Sequence, residues 1–388
     1  LHATRICTAH GAAIEPLPTA IAALGALTGQ PAGMSLPSVS ARATSATSAM
    51  AELPPPLLAS SRVPDVLTVA FSSTSNEQFL SAGTDGYVRV WDAGDFSCKA
   101  AAHARGAGHV TCAAFASDFH ISGWQDGSLR GFLVAPPPAP SSAVDARTVA
   151  PDARFGGHRG GGGATVEDRL LLWTLPDAHP VRDGGVTALT VARNQRFMVS
   201  GGASGVVRVW DTRLRNLVSN YAEHRGVITD LRLLAGDSQL LSVSRDRCLM
   251  SWDLRADRRM SLHMLRMGGM TAVDVSPDGS IIISVGQDRR ITYWDLRQAA
   301  PTLSLQYPPD PKTGAEHDAT ALSICATREL FATGGSDGAV RLWDLRSGGM
   351  LQACHDHAGI VRDVAFSPDG KQLVSCANDG AVLVWNVF

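Results

Sequence analysis

The chain has 388 residues, with 34 lysines plus arginines against 36 aspartates plus glutamates and a formal net charge of −2. That balance excludes a general affinity for nucleic acid, and no G-x-x-x-x-G-K-[ST] phosphate loop or zinc-site spacing occurs, so neither cofactor nor metal is expected. The seven cysteines (Cys7, Cys98, Cys112, Cys248, Cys325, Cys354, Cys376) are odd in number and lack a C-x-x-C pair, which fits reduced thiols in a cytosolic compartment.

Residues 1–55 differ in composition from the rest. "IAALGALTG" (Ile21–Gly29) is too short to span a bilayer, so no membrane partner is expected. "SVSARATSATSAM" (Ser38–Met50) is rich in Ser, Ala and Thr. The expectation is a disordered extension; the composition also allows an organelle transit peptide, and a first residue other than Met favours a fragment of a larger chain. From residue 56 onward short apolar runs take over. "PLLASSR" (Pro56–Arg62) comes first, followed by "VLTVAF" (66–71), "VTCAAF" (110–115), "VTALTV" (186–191), "VITDLR" (227–232), "TAVDVS" (271–276), "TALSIC" (320–325) and "VRDVAF" (361–366). Each of the seven runs from residue 66 opens a unit.

Further along each unit a second pattern recurs, as in "SAGTDGYVRVWD" ending at Asp92 and "GGSDGAVRLWDLR" at Gly334–Arg346. A Ser or Thr stands four residues before a turn position and an aromatic six after it. The turn positions are Asp85, Asp126, Ser204, Asp246, Asp288, Asp337 and Asp379; the aromatics are Trp91, Phe132, Trp210, Trp252, Trp294, Trp343 and Trp385. Trp210, Trp252 and Trp294 follow one another at 42 residues, the period of four-stranded repeats. In one unit "VITDLRLL", "QLLSVS", "CLMSWDL" and "RRMSLHM" read as the four strands, with D-G or D-R hairpin turns between the second and third. The one large break, Ala135–Asp168, is rich in proline and glycine and reads as a mobile insertion loop.

These residues resemble the WD-repeat family, whose members are β-propellers. The resemblance implies an all-β, seven-bladed propeller of four-stranded antiparallel blades over residues 56–388, preceded by the extension. The seventh unit ends with its third strand, and closure by Leu57–Arg62 is expected because an unpaired edge invites aggregation. The resemblance also implies one hydrogen-bonded chain of Trp, Ser/Thr, His and Asp inside a blade. The units so assigned are His224, Ser242, Asp246 and Trp252; His317, Thr333, Asp337 and Trp343; and His357, Ser375, Asp379 and Trp385. His103, His179 and His263 are further candidates; Ser204 and Phe132 break the pattern in blades 3 and 2.

Ser, His and Asp together also invite a catalytic reading. An enzyme needs one distinguished site, seven near-copies suit a structural unit, and no G-x-S-x-G elbow occurs. The expectation is therefore a non-catalytic interaction scaffold with protein partners and no small-molecule substrate. Candidate partner-binding residues are Arg255, Arg258, Arg259, Arg297 and Arg346, drawn from an arginine cluster on blades 4 and 5 and from the repeated W-D-x-R. "FHISGWQDGSLRGF" (Phe119–Phe132), "VTALTVARNQRFMVSGGASGVVRVW" and "NDGAVLVWNVF" resemble the C-terminal propeller of cilia- and flagella-associated WD-repeat proteins. That resemblance implies tubulin and other axonemal proteins as partners and a cytoplasmic, axonemal location. The alternative is the substrate receptor of a cullin-type ubiquitin ligase, in which the W-D-x-R arginines resemble adaptor-binding positions.

Overall fold

The computed structural model describes residues 2–7, 14–16, 63–72, 75–104, 106–116, 119–134, 170–181, 184–234, 236–298, 300–309 and 314–387. Seven antiparallel sheets make up a seven-bladed β-propeller. In each blade the four strands are lettered a to d from the central channel outward. Blade 4, the most regular, runs a (Ile228–Leu233), b (Gln239–Ser244), c (Cys248–Asp253) and d (Arg258–Met264). Strand alternation places the b–c turns and d–a connections on one face of the ring, and the a–b and c–d turns on the other.

Burial follows strand position. Strand b of blade 4 is buried along nearly its whole length, whereas strand d is mostly exposed. A strand packed on both faces needs a near-continuous apolar run; an outer strand does not. Seven apolar clusters hold the ring together, and each joins two neighbouring blades. Val199, Val207 and Val209 of blade 3 pack with Ile228, Leu240 and Trp252 of blade 4. Val374 and Val384 of blade 7 pack with Val66, Phe79 and Trp91 of blade 1, closing the circle. The repeated tryptophan always faces the preceding blade.

Hydrogen bonds stitch the innermost strands across the same seams. The Thr187 hydroxyl donates to the Ile228 carbonyl at 2.7 Å, Thr229 to Met270 at 2.9 Å and Thr271 to Ala319 at 2.8 Å. Carboxylates do the same from other blades. Asp230 accepts from the Val273 N–H at 3.1 Å, and Asp363 accepts from the Val69 N–H at 3.1 Å and the Thr68 hydroxyl at 3.0 Å.

Closure differs from the sequence expectation. The outer strand of blade 7 is His2–Cys7, which pairs antiparallel with Ala381–Asn386, Thr4 lying opposite Val384. A fifth strand, Ile14–Pro16, pairs with its outer edge. The proposed closing segment, Leu57–Arg62, lies outside the described residues, and the edge it was meant to cover is taken. The reason is physical. An outer strand is recruited by backbone hydrogen bonds and carries little apolar demand, so sequence pattern and adjacency to blade 1 were poor guides. The insertion 135–168 also lies outside the described residues; on its far side Leu171–Leu175 completes blade 2.

Candidate functional site: the repeated polar chain

Blades 4 and 7 contain the complete chain. In blade 4 the Trp252 indole donates to Ser242 Oγ at 2.9 Å, His224 Nε2 meets the same oxygen at 2.7 Å, and His224 Nδ1 meets Asp246 Oδ2 at 2.9 Å. Asp246 also accepts the N–H groups of Arg225 and Cys248, both at 2.9 Å. Blade 7 repeats this with Trp385, Ser375, His357 and Asp379 at 2.8, 2.8 and 3.3 Å. Burial pushes the His224 imidazole down despite its carboxylate neighbour. Burial alone would raise Asp379, but its hydrogen bonds from His357 and two backbone N–H groups outweigh that and hold it at about 2. Ser242 and Ser375 are fully buried, each hydroxyl held between an indole and an imidazole.

Blade 6 corrects the sequence expectation. The Trp343 indole donates to the Thr333 hydroxyl at 2.9 Å as expected. Asp337, however, is gripped by Arg341, whose Nη1 and Nη2 lie 3.1 and 2.5 Å from its two oxygens. Arg341 also donates to the Tyr307 hydroxyl at 2.9 Å, and that hydroxyl lies 3.4 Å from Thr333. Tyr307 thus fills the imidazole's place, and His317 is left half-buried outside the chain. The Arg341 and Asp337 side chains are only 2% and 6% exposed, so this is a buried bidentate ion pair.

The remaining blades vary the theme. In blade 3 Trp210 and His179 both reach Ser200 at 2.8 Å, but Ser204 replaces the aspartate and His179 Nδ1 has no partner among the described residues. Burial drops His179 to about 4. Blades 1 and 2 carry aspartate–arginine pairs, Asp85–Arg89 at 2.6 Å and Asp126–Arg130 at 2.8 Å. His103 packs at a tilt against Tyr87 instead of joining a chain. Blade 2 compensates for Phe132 with Trp124, whose indole donates to Ser122 at 2.9 Å. In blade 5 Trp294 donates to Ser284 at 2.7 Å, while His263 packs against the indole and meets Ser261 at 3.1 Å. Sequence reasoning missed Tyr307, Arg341 and Trp124. The available signal was the residue four after the turn aspartate: Arg89, Arg130 and Arg341 in the arginine blades, Met250 and Leu383 in the histidine blades.

The candidate partner-binding arginines fall in two places. Arg255, Arg297 and Arg346 follow strand c on the c–d face and are exposed. Arg255 N–H is held by Asp253 at 2.9 Å and Arg297 N–H by Asp295 at 3.0 Å, so the W-D-x-R aspartate caps a turn. Arg346 pairs with Glu329 and Arg259 with Glu223, while Arg258 opens strand d of blade 4. Arg245, Arg247, Arg266 and Arg290, one run with these in the sequence, lie toward the opposite face.

Among the described residues, a central channel and a peripheral cleft stand out. The central channel, about 750 Å³, is lined by the a strands and holds Asp230, Asp274, Asp363 and Arg232. Arg232 pairs with Asp230 at 2.7 Å and Asp274 at 3.3 Å. Burial pushes Asp363 up to about 6. A cleft of about 840 Å³ at the junction of blades 7 and 1 is lined by Glu77, Asp92, Arg328, Asp369 and Lys371 among others. Its aspartates are engaged: Asp92 with Lys99 at 2.5 Å, and Asp369 with Ser367 at 2.6 Å and Lys371 at 3.8 Å.

The class defined by this geometry is a seven-bladed β-propeller whose blades repeat one polar unit. A match to the family described as "WD domain, G-beta repeat" over residues 59–92, 170–211, 261–295, 311–344 and 348–386 names those units. The seven-bladed propeller carries WD40 repeats in those five segments. Similar proteins include WD repeat and SOCS box-containing protein 1 of Xenopus tropicalis, 42% identical over 59 residues, which is 15% of this chain and 14% of that protein. Nuclear distribution protein nudF 2 of Talaromyces marneffei is 35% identical over 83 residues, 20% of this chain and 18% of its own length. DDB1- and CUL4-associated factor 13 of Dictyostelium discoideum is 39% identical over 56 residues, covering 14% and 13%. The matched segment thus spans less than a fifth of each of these relatives.

Proposed function

We propose that the ring is a non-catalytic scaffold that holds protein partners on its faces and rim. The observation that carries this reading is the committed state of the repeated serine–histidine–aspartate units. The hydroxyls of Ser242 and Ser375 are buried and already bonded on two sides, so neither is presented to a substrate. A fluorophosphonate probe is expected to label no serine stoichiometrically; one labelled serine overturns the reading.

The placement we propose is on axonemal microtubules, with tubulin and neighbouring axonemal proteins as partners in a cytoplasmic, ciliary location. It is supported by the resemblance carried by Phe119–Phe132 and the C-terminal strand, and by exposed arginines suited to an acidic partner such as tubulin. A second reading, the substrate receptor of a cullin-type ligase, is favoured by a specific observation. Two of the similar proteins are named for a SOCS box and for association with DDB1 and CUL4, and Arg255 and Arg297 stand exposed in W-D-x-R turns. Cell fractionation separates the two. Retention on salt-washed axonemes supports the first; co-purification with a cullin adaptor, lost in Arg255→Ala with Arg297→Ala, supports the second and removes the first.

A further inference from the structure

Strand d of blade 4, Arg258–Met264, ends its sheet with no strand paired to its outer edge among the described residues. It is seven residues long, whereas the d strands of blades 3, 5 and 6 have five, four and five. It also exposes apolar side chains: Met260, Leu262 and Met264 are 53%, 43% and 55% exposed, and Met267 just beyond is 74% exposed. Long apolar edges invite strand addition, and soluble proteins normally blunt them with charge, proline or a cover.

The hydrogen-bond register says which backbone groups are free. The Leu265 N–H donates to the Arg247 carbonyl at 2.9 Å, and the pairing continues as Cys248 with Met264, Leu249 with His263 and Met250 with Leu262. Alternation then turns the N–H groups of Leu262 and Met264 away from strand c, toward solvent. Charge brackets the stripe. Residues 253–266 hold Arg255, Arg258, Arg259 and Arg266 against Asp253 and Asp257. Asp253 is spent capping its own turn, and Arg259 is paired to Glu223. Arg258 at one end, and Arg247 and Arg266 at the other, are exposed and make no carboxylate ion pair among the described residues. The chain itself displays the binding mode, because Ile14–Pro16 adds a fifth strand to the outer edge of blade 7.

We propose that the rim of blade 4 binds an extended, acidic–apolar segment of a partner protein by strand addition along Arg258–Met264. The partner backbone bonds to the outward groups of Leu262 and Met264, and its apolar side chains cover the methionine stripe. Its carboxylates meet Arg258 at one end and Arg247 and Arg266 at the other. The inference rests on the scaffold reading and adds to it a site and a partner chemistry.

The test uses the full chain and a synthetic peptide alternating glutamate with valine, followed by fluorescence anisotropy and amide hydrogen exchange. Binding is expected to protect the Leu262 and Met264 amides. Leu262→Pro, which removes an outward N–H without touching the ladder to strand c, is expected to weaken binding about tenfold or more. Arg258→Glu with Arg266→Glu should weaken it similarly, while Arg213→Glu on blade 3 should not. Circular dichroism and the unfolding midpoint of each variant confirm the fold. No binding, binding unaffected by Leu262→Pro, or protection elsewhere on the ring overturns the proposal. A chain that sediments as a dimer dissociated by Leu262→Pro also overturns it, because a second copy would then cover the edge. Loss of the peptide site while axonemal or adaptor association persists refutes this site and leaves the scaffold reading standing.

Discussion

Blades 4 and 6 carry the same spaced trio, Ser242/Asp246/Trp252 and Thr333/Asp337/Trp343, yet their carboxylates serve different partners. In blade 4 the aspartate holds a histidine from the preceding loop; in blade 6 it holds an arginine from its own sheet. What decides is the side chain four residues after the aspartate, two before the tryptophan. Met250 offers no donor, so Asp246 remains free for His224. Arg341 offers two N–H groups in a fork that matches a carboxylate, and a bidentate charge-assisted pair outcompetes a single imidazole bond. Tyr307, 2% exposed, then bridges Arg341 and Thr333 where the imidazole would have been. Blades 4 and 6 therefore keep two different interiors behind one sequence signature.

The largest expected effect comes from breaking the arginine version. Asp337→Ala leaves the Arg341 guanidinium buried without its counter-charge, at a cost of about 3–5 kcal/mol. Asp337→Ala combined with Arg341→Met, which imitates blade 4 at the second position, should recover most of that loss, because a buried pair can be exchanged for apolar packing at little net cost. Asp246→Ala in blade 4 removes the acceptor of a neutral ring and of the Arg225 and Cys248 N–H groups but leaves no unpaired charge, and should cost about 1–3 kcal/mol. Denaturant midpoints check all three. An Asp246→Ala loss equal to that of Asp337→Ala would break the comparison.

The fold was legible because the apolar runs, the turn residues and the 42-residue spacing report packing that every blade shares. Four of the seven inner strands match their sequence bounds, including Val66–Phe71 and Val361–Phe366, and the others shift by one residue. The polar chain was legible in blades 4 and 7, where one rule suffices. It was misread in blade 6 because the competition for Asp337 is settled by an arginine within the same motif, and because Tyr307 belongs to a connection whose length, but not whose burial, is visible in sequence. Trp124 was overlooked for a related reason. It reaches Ser122 from two residues along the same strand, a spacing no other blade uses. The closing strand was missed because backbone pairing leaves no side-chain signature.

A smaller effect separates blades 2 and 3 from blade 4 by pH. His120, opposite Phe132, takes the b-strand position that Leu240 and Leu373 occupy opposite Trp252 and Trp385 in blades 4 and 7, and neither of its ring nitrogens has a partner among the described residues. Burial lowers His120 to about 4, as it does His179. An unfolded imidazole takes up its proton near pH 6.5, so between 6.5 and 4 the unfolded chain binds more protons and stability falls as pH falls. Each such histidine contributes a slope of roughly 1.4 kcal/mol per pH unit within that window. Asp363, raised to about 6, acts in the opposite sense between its ordinary value and 6, so the informative quantity is a difference between variants. His120→Leu should raise the midpoint at pH 7 and flatten the fall between pH 6.5 and 4 by one histidine's share. A parallel fall in both proteins would show that His120 is solvated.

The smallest effect tests the deciding rule where the aspartate is missing. Blade 3 already holds His179 against Ser200, and four residues after Ser204 stands Arg208, which donates to the Ala178 carbonyl. Ser204 is exposed, so Ser204→Ala should change stability by no more than about 0.5 kcal/mol. Ser204→Asp supplies the missing carboxylate, and the rule says who takes it. With Arg208 present the arginine wins, as in blade 6, and the His179 imidazole stays near 4 by NMR titration. With Arg208→Met added, the carboxylate is left to His179, as in blade 4, and its titration should move upward, with a stability gain of about 1 kcal/mol at neutral pH. An upward shift of the same size in Ser204→Asp alone would mean that the histidine outcompetes the arginine, and the account of blade 6 would need a cause other than Arg341.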